Sequence, residues 1–277
     1  MAGDWDSARI REIWDGLADA WDRNRGIVWG FTRPISEHLV DLLDPRPGET
    51  ILEVGAGPGD TGFLIADRVG PDGRVISTDL SPQMQERARA AAMQLGLSNI
   101  EFVVMDVMKL DLPDASVDGV VGRLVYHLVP DPAEAFAEAC RVLRPGGRLG
   151  YTVFAPDEKN AFDVAVGSTM TKRGHSFPPG ITIDVDLSDV TVVRDVTGSA
   201  GFGTVDVHEV PFLIRFEDGD AAWRWVTEMY GRAAALIKGL PVDEQQAFRA
   251  DFLAELEPFF GPDGYAIPGA CLNVLAR

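Results

Sequence analysis

The chain of 277 residues has only two cysteines, Cys140 and Cys271, too few for a disulfide framework. Both are expected as free thiols in a reducing cytoplasm. It contains no run of 18 apolar residues, so no transmembrane helix is expected. The first residues, Met-Ala-Gly-Asp-Trp-Asp, lack the basic and apolar regions of a signal peptide. A cytoplasmic protein without a membrane partner is the expectation. Basic residues are scarce, with 25 Lys and Arg against 43 Asp and Glu and a net charge of −18. Phosphate backbones demand a basic footprint, so nucleic acid is not an expected partner. The acidity reads as a solvated surface. The four histidines sit in no cluster with metal-ligand spacing, and no metal is expected. Internal repeats and low-complexity linkers are missing too. The oligomeric state, monomer or homodimer, stays open.

What is present begins with a 46% hydrophobic content, enough for a substantial core in one α/β domain with an appended lid. The most informative stretch is Thr50-Ile51-Leu52-Glu53-Val54-Gly55-Ala56-Gly57-Pro58-Gly59-Asp60-Thr61-Gly62. Ile51, Leu52 and Val54 read as a short buried strand, and the glycines start where it ends. Such glycines let backbone N–H groups approach a ligand closely. The helix expected from Asp60 aims its N-terminus at the same spot. A second strand, Arg74 to Thr78, ends in Asp79, where a carboxylate can accept hydrogen bonds from ribose hydroxyls. This pattern predicts a nucleoside-cofactor site. Two registers compete. Gly57, Gly59 and Gly62 satisfy the dinucleotide fingerprint G-x-G-x-x-G, but two residues after the strand end. The register from Glu53 to Gly59, acid-x-Gly-x-Gly-x-Gly, begins with the strand and suits a compact zwitterion.

Periodicity organises the rest. Trp14, Leu17, Trp21 and then Ile35, Leu39, Leu42, Leu43 predict two helices over residues 7 to 43. Ser81-Pro82 is an N-cap and first helical residue, and Met84, Ala88, Ala91 and Leu95 line that helix. Strands are expected at Asn99 to Val104 and Val117 to Val121, with a helix capped by Asp131 between the latter and Pro145. Alternating strands and helices predict a doubly wound, mostly parallel sheet. Beyond Phe154 the regularity breaks. Here the sequence predicts polar helical turns, an extended loop His175-Ser176-Phe177-Pro178-Pro179-Gly180, a strand from Thr204 to Val210, and helices over Ala221–Lys238 and Asp243–Glu257. Four parts follow: residues 1–47, a helical segment covering the cofactor site; 48–156, the cofactor-binding core; 157–265, a core strand plus lid and substrate-recognition insertions; and 266–277, a closing strand.

Five blocks carry a family resemblance. Glu53-Val54-Gly55-Ala56-Gly57-Pro58-Gly59 resembles the first motif of class I S-adenosylmethionine-dependent methyltransferases, and Asp79-Leu80-Ser81 their second. Met105-Asp106-Val107 is similar to their acid near the adenine, Asp118-Gly119-Val120-Val121 to the fourth strand, and Leu143-Arg144-Pro145-Gly146-Gly147-Arg148-Leu149 to the turn before the fifth. The blocks stand in family order over roughly residues 48 to 155, and the pattern is closest to small-molecule members of quinone biosynthesis and secondary metabolism. The Asn-Pro-Pro-Tyr type of motif of nucleic-acid amino-methylating members is absent; Arg123-Leu124-Val125-Tyr126 stands in its place.

The resemblance implies a Rossmann-like methyltransferase fold with helical lid insertions, S-adenosylmethionine as cofactor, and methyl transfer to an O, C or N atom of a small, partly apolar acceptor. It implies that Glu53, Gly55, Ala56, Gly57 and Gly59 hold the aminocarboxypropyl part, Asp79 with Leu80 and Met84 the ribose side, and Asp106 with Val107 the adenine. Trp21 resembles the aromatic-Asp segment that folds over the cofactor; core packing is the competing use. Arg123 is a candidate for the methionine carboxylate or an acidic substrate, or else a strand cap. His127 is the candidate general base, with its imidazole able to titrate near neutrality, against a plain pocket-lining role. Tyr126 is the weaker alternative. Of Trp223 and Trp225, two apart on one helix, at most one lines a pocket; amphipathic packing is the expected use of that segment. A non-catalytic S-adenosylmethionine-binding or regulatory protein and an NAD-dependent oxidoreductase remain as alternatives.

Overall fold

The computed structural model describes residues 7–176 and 185–277, so the loop expected at Phe177-Pro178-Pro179-Gly180 lies largely outside it. Two helices open the chain, α1 (Ser7–Arg23) and α2 (Arg25–Leu43). Asp44 ends α2 in left-handed backbone at φ 50°, its N–H bonded to Val40 O. The chain then alternates through β1 (Thr50–Glu53), α3 (Asp60–Val69), β2 (Arg74–Asp79), α4 (Pro82–Gln94), β3 (Ile100–Val104), β4 (Val117–Arg123), α5 (Pro132–Val142) and β5 (Leu143–Phe154). The caps form as their residue types dictate. Ser81 Oγ accepts from Met84 N, and Asp131 accepts from Ala133 N and Glu134 N.

These five strands are parallel neighbours in the order β3-β2-β1-β4-β5. The order reverses between β1 and β4, and open α/β sheets bind ligands in the crevice beyond the strand ends at that place. Helices cover both faces, so the strands read as apolar runs: Ile51, Leu52, Val120 and Val121 are fully buried. Each such side chain contributes about 1.5–3 kcal/mol by leaving water. The Arg144-Pro145-Gly146-Gly147 segment, expected as a turn ahead of the fifth strand, is a bulge within it. Pairing jumps from Val117–Leu143 to Gly119–Arg148, and Gly146 takes φ 81°.

After β5 come α6 (Ala161–Lys172), α7 (Val190–Ser199), β6 (Val205–Phe216), α8 (Gly219–Glu228), α9 (Gly231–Gly239), α10 (Val242–Leu256), β7 (Phe260–Gly261) and β8 (Gly264–Ala276). β8 runs antiparallel between β5 and β6, which completes a mostly parallel, Rossmann-like α/β sheet. Both late strands exceed their sequence signal. β6 continues past Val210 to Phe216 and β8 starts at Gly264, ahead of the closing strand expected from residue 266. Pro211 and Pro268 disguise them, because a proline donates nothing to a ladder; β6 is an edge strand and tolerates one. The helix expected over Ala221–Lys238 is two, broken at Gly231 with φ 42°.

The late helices bury a second core against β6 and β8, built on Phe162, Phe216, Trp225, Phe248 and Phe252. Arg173, at the end of α6, forks onto Glu244 at 2.8 and 2.9 Å and reaches Asp251 at 2.6 Å, fastening α6 to α10. No described helix is long and apolar enough to cross a membrane.

Candidate active site

The glycine loop leaves β1 in left-handed backbone, with Gly55 at φ 58°, Gly57 at φ 54° and Gly59 at φ 87°. A Cβ on Gly55 would lie 2.4 Å from Val125, so only glycine lets the loop close on the segment after β4. Below the loop, the fully buried Glu53 accepts from Gly62 N at 2.7 Å and from Ser77 Oγ at 2.9 Å. Burial pushes its carboxyl up to about 8. A Cβ on Gly62 would meet Glu53 Oε2 at 2.2 Å. The third glycine of the literal dinucleotide fingerprint therefore serves the Glu53 brace, and the register beginning at Glu53 describes the loop.

Two expected cofactor residues do not reach the cavity above this loop. Glu53 points beneath it, and Gly59 begins α3 against the Phe63 ring. Their sequence position is right, but their side of the loop is the protein side. The remaining candidates do converge. Gly55, Ala56, Gly57 and Asp79 line the cavity together with Leu80, Met84, Asp106 and Val107, and Trp21 and Arg123 close it. It holds about 840 Å³ of open space.

Asp79 accepts from Gly57 N and from Ser81 N, each at 2.8 Å. Burial raises its pKa, and the two backbone N–H bonds oppose that shift. A carboxylate has about four acceptor sites, so capacity remains for hydroxyls in the cavity. Asp106 accepts from Met108 N and from Ser7 Oγ, each at 2.9 Å. The second bond fastens the start of α1 across the cavity. Asp15 of α1 accepts from Ser81 Oγ, and Arg87 of α4 pairs with Asp19 and Asp22. Ile10 and Trp14 enter the lining with Trp21 as one face of α1. Sequence reasoning used Trp14 only as a packing residue and missed Ile10; their helical spacing with Trp21 was the available signal.

Arg123 ends β4 and lines this cavity and a second one beside it. Its Nε donates to Thr61 Oγ1 at 3.1 Å. Neither Nη nitrogen has a hydrogen bond or ion pair among the described residues; Asp60, the opposite charge that acts on it most strongly, pairs with Arg25 at 2.5 Å. Burial lowers the Arg123 pKa. Leu124 follows in left-handed backbone at φ 58°, a position a branched side chain adopts only when its surroundings hold it there.

The second cavity has about 910 Å³ of open space and shares Trp14, Trp21, Arg123, Leu124 and Leu128 with the first. Its own walls are aromatic, with Phe31, Phe154, Phe162, Phe212, Trp225 and Tyr230, and its polar groups include Thr32, His127, Asn160 and Asp163. His127 stands edge-on to Phe154 with centroids 5.4 Å apart, and its Nδ1 is buried without a partner. Burial pulls its pKa down to about 4, so the ring is neutral at pH 7 and a weak base. Tyr126 is packed in the core between Phe136 and Tyr151, with burial raising its pKa; it faces neither cavity and is removed as an alternative base. Trp225 lines the cavity, whereas Trp223 packs on Phe248 and Phe252. The segment from Trp223 to Tyr230 thus does more than pack: Trp225, Met229 and Tyr230 all face the chamber. Among the described residues, no group of His, Cys, Asp and Glu is arranged to hold a metal.

Residues 51–147 match the family model described as methyltransferase domain. The match covers 97 of the 277 residues. It contains the glycine loop, both cavity carboxylates, Arg123 and His127. The chain is 37% identical over 140 residues to nocamycin O-methyltransferase of Saccharothrix syringae, covering 50% of this chain and 49% of that protein. It is 35% identical over 144 residues to aklanonic acid methyltransferase of a Streptomyces species, covering 52% and 64%. The chain thus spans less than two thirds of either curated relative. Among solved structures, the YcgJ protein of Bacillus subtilis shares the fold with a TM-score of 0.59, 19% identity and coverage of 87% of this chain and 96% of that one. The matched segment ends before α6, so much of the wall of the second cavity comes from outside it.

Proposed function

We propose that the chain transfers a methyl group from S-adenosylmethionine to an O, C or N atom of a small, partly apolar acceptor. The observation that carries this reading is the pair of cavities meeting at Arg123 and Leu124, one above the glycine loop with Asp79 and Asp106 in its wall and the other aromatic. The residues present fit the donor. Gly55 to Gly57 leave backbone space for the aminocarboxypropyl part, and the free Nη groups of Arg123 suit its carboxylate. Asp79 has acceptor sites for the ribose hydroxyls and Asp106 stands at the adenine side, with Leu80, Met84 and Val107 as apolar walls. Trp21 and the rest of α1 exclude water from the reacting centre. A bound sulfonium supplies an activated methyl group, so holding the acceptor in line with it does much of the work. His127 lines the acceptor chamber as a neutral ring. The free thiols Cys140 and Cys271 support a reducing cytoplasm as the place of action, and the net charge of −18 supports a small molecule over nucleic acid as the acceptor.

Calorimetric titration with S-adenosylhomocysteine, S-adenosylmethionine and NADH tests the donor site. Saturable binding of the two adenosyl compounds without NADH binding is the expected result. Preferential binding of NADH would return the site to the dinucleotide reading.

A further inference from the structure

Asp163 is a carboxylate set in an aromatic chamber with nothing to hold it. It sits in the first turn of α6, half-buried, and lines the second cavity. An acid in that turn suits the helix dipole. The usual reason for one is a capping bond, and Asp163 makes none: Asn160 N bonds Asp157 O, and the Asn160 side chain is spent on Ala155 O, Pro156 O and Ala270 N. Among the described residues Asp163 has no hydrogen bond and no ion pair. Carboxylates drawn away from water are normally satisfied by hydrogen bonds or an opposite charge. An unsatisfied one that faces a cavity marks the place of a ligand's polar group.

From the placement of Asp163 in the wall of the aromatic chamber that meets the donor cavity at Arg123 and Leu124, we propose that it accepts the proton of a ring hydroxyl during O-methylation of a flat, hydroxylated aromatic acceptor. This rests on the methyl-donor reading above and narrows it to O-transfer. In the step, the acceptor oxygen forms its bond to the methyl carbon as the S–CH3 bond breaks and its electron pair stays on sulfur. The hydroxyl proton passes to the Asp163 carboxylate, leaving a methyl ether, a neutral thioether and a carboxylic acid. The rings of Phe31, Phe162, Phe212 and Trp225 supply apolar faces for the acceptor, and Asp163 and Arg123 supply the charge.

Asp157 from the turn before α6 and Cys271 on β8 interact electrostatically with Asp163, and Arg123, His127 and Tyr230 are the other titratable groups that line its cavity. Burial, with the like charge of Asp157, raises the Asp163 carboxyl to about 7. That value suits a base working near neutrality, where His127, at about 4, does not. Asp163 is a carboxylate above about pH 7 and a neutral acid below it.

The test uses 2-naphthol and its methyl ether as probes, bound to the full chain saturated with S-adenosylhomocysteine and followed by tryptophan fluorescence between pH 5 and 9. The thioether ligand lacks the positive sulfur and leaves the Asp163 ionisation undisturbed by it. Wild type should bind 2-naphthol about ten-fold tighter at pH 8 than at pH 5.5, as expected for a charge-assisted bond. Asp163→Asn should lose that pH dependence, and Asp163→Glu should restore part of it. The methyl ether, without a hydroxyl, should bind both proteins independently of pH. An unchanged pH dependence in Asp163→Asn overturns the proposal, as does failure of 2-naphthol to bind the loaded protein. Retained S-adenosylhomocysteine binding by Asp163→Asn shows that the variant is folded. Loss of S-adenosylhomocysteine binding in wild type would instead refute the donor reading.

Discussion

Glu53→Gln should make the protein more resistant to alkaline unfolding. Glu53 is fully buried below the glycine loop, and its carboxyl is pushed from an ordinary 4.5 up to about 8. Between those values the native protein keeps a proton that the unfolded chain releases, so stability falls as pH rises through the window and is lowest above about 8. The gap corresponds to a loss of about 5 kcal/mol at 1.36 kcal/mol per pH unit, a large share of the ~5–15 kcal/mol that holds a domain together. Glutamine mimics the protonated acid: its carbonyl oxygen can accept from Gly62 N and its amide can donate to Ser77 Oγ. Urea unfolding at pH 6 and pH 9 separates this one group from all others, because every other titration is common to both proteins. The variant should exceed wild type by about 2 kcal/mol at pH 6 and by about 5 kcal/mol at pH 9. Parallel losses in the two proteins would show that the Glu53 carboxyl is ionised in the native state already at pH 6, and the argument from burial would be wrong.

Other substitutions probe the walls. Gly55→Ala places a Cβ 2.4 Å from Val125 in left-handed backbone, so it should destabilise by about 1–3 kcal/mol and weaken S-adenosylhomocysteine binding. Thermal melts with and without ligand measure both, and an unshifted melting temperature would count against the tight closure. Trp223→Ala should lower stability by about 3 kcal/mol through lost contact with Phe248 and Phe252, yet leave probe binding in the second cavity unchanged. Trp225→Ala should alter which aromatic probes bind, read by competition with 2-naphthol; equal effects of the two tryptophans on binding would refute their assignment to different faces. His127→Phe should leave the pH dependence of 2-naphthol binding above pH 5 intact, because the ring is neutral throughout that range.

The half of the molecule around the glycine loop is legible in the sequence because its rules are local. A strand end, three glycines with positive φ and an acid at the next strand tip are neighbours along the chain, and Gly55, Gly57, Asp79 and Asp106 meet as expected. The errors there are errors of side. Glu53 and Gly59 belong to the motif, but whether a residue faces ligand or core depends on which way a loop of few residues curls. The aromatic half is illegible for a different reason. Its chamber is assembled from α1, α2, β6, α6, α8 and β8, whose contributing residues lie more than two hundred positions apart. Phe212 and Ile214 sit behind Pro211, which masks the strand that carries them. Asp163 is indistinguishable in sequence from any acid near a helix start; its lack of partners exists only in three dimensions.

Helix α1 is a wall of both chambers, since Trp14 and Trp21 border each. A door shared by two rooms cannot open one alone. Under the proposed reaction, replacing spent donor requires α1 to release Asp106 and Ser81, and the same movement uncovers the acceptor. The product should then escape before a second donor arrives, so an acceptor with two hydroxyls is methylated distributively. With excess acceptor, singly methylated product should accumulate free in solution before any doubly methylated product forms. A doubly methylated compound appearing first would mean that the donor enters by another route.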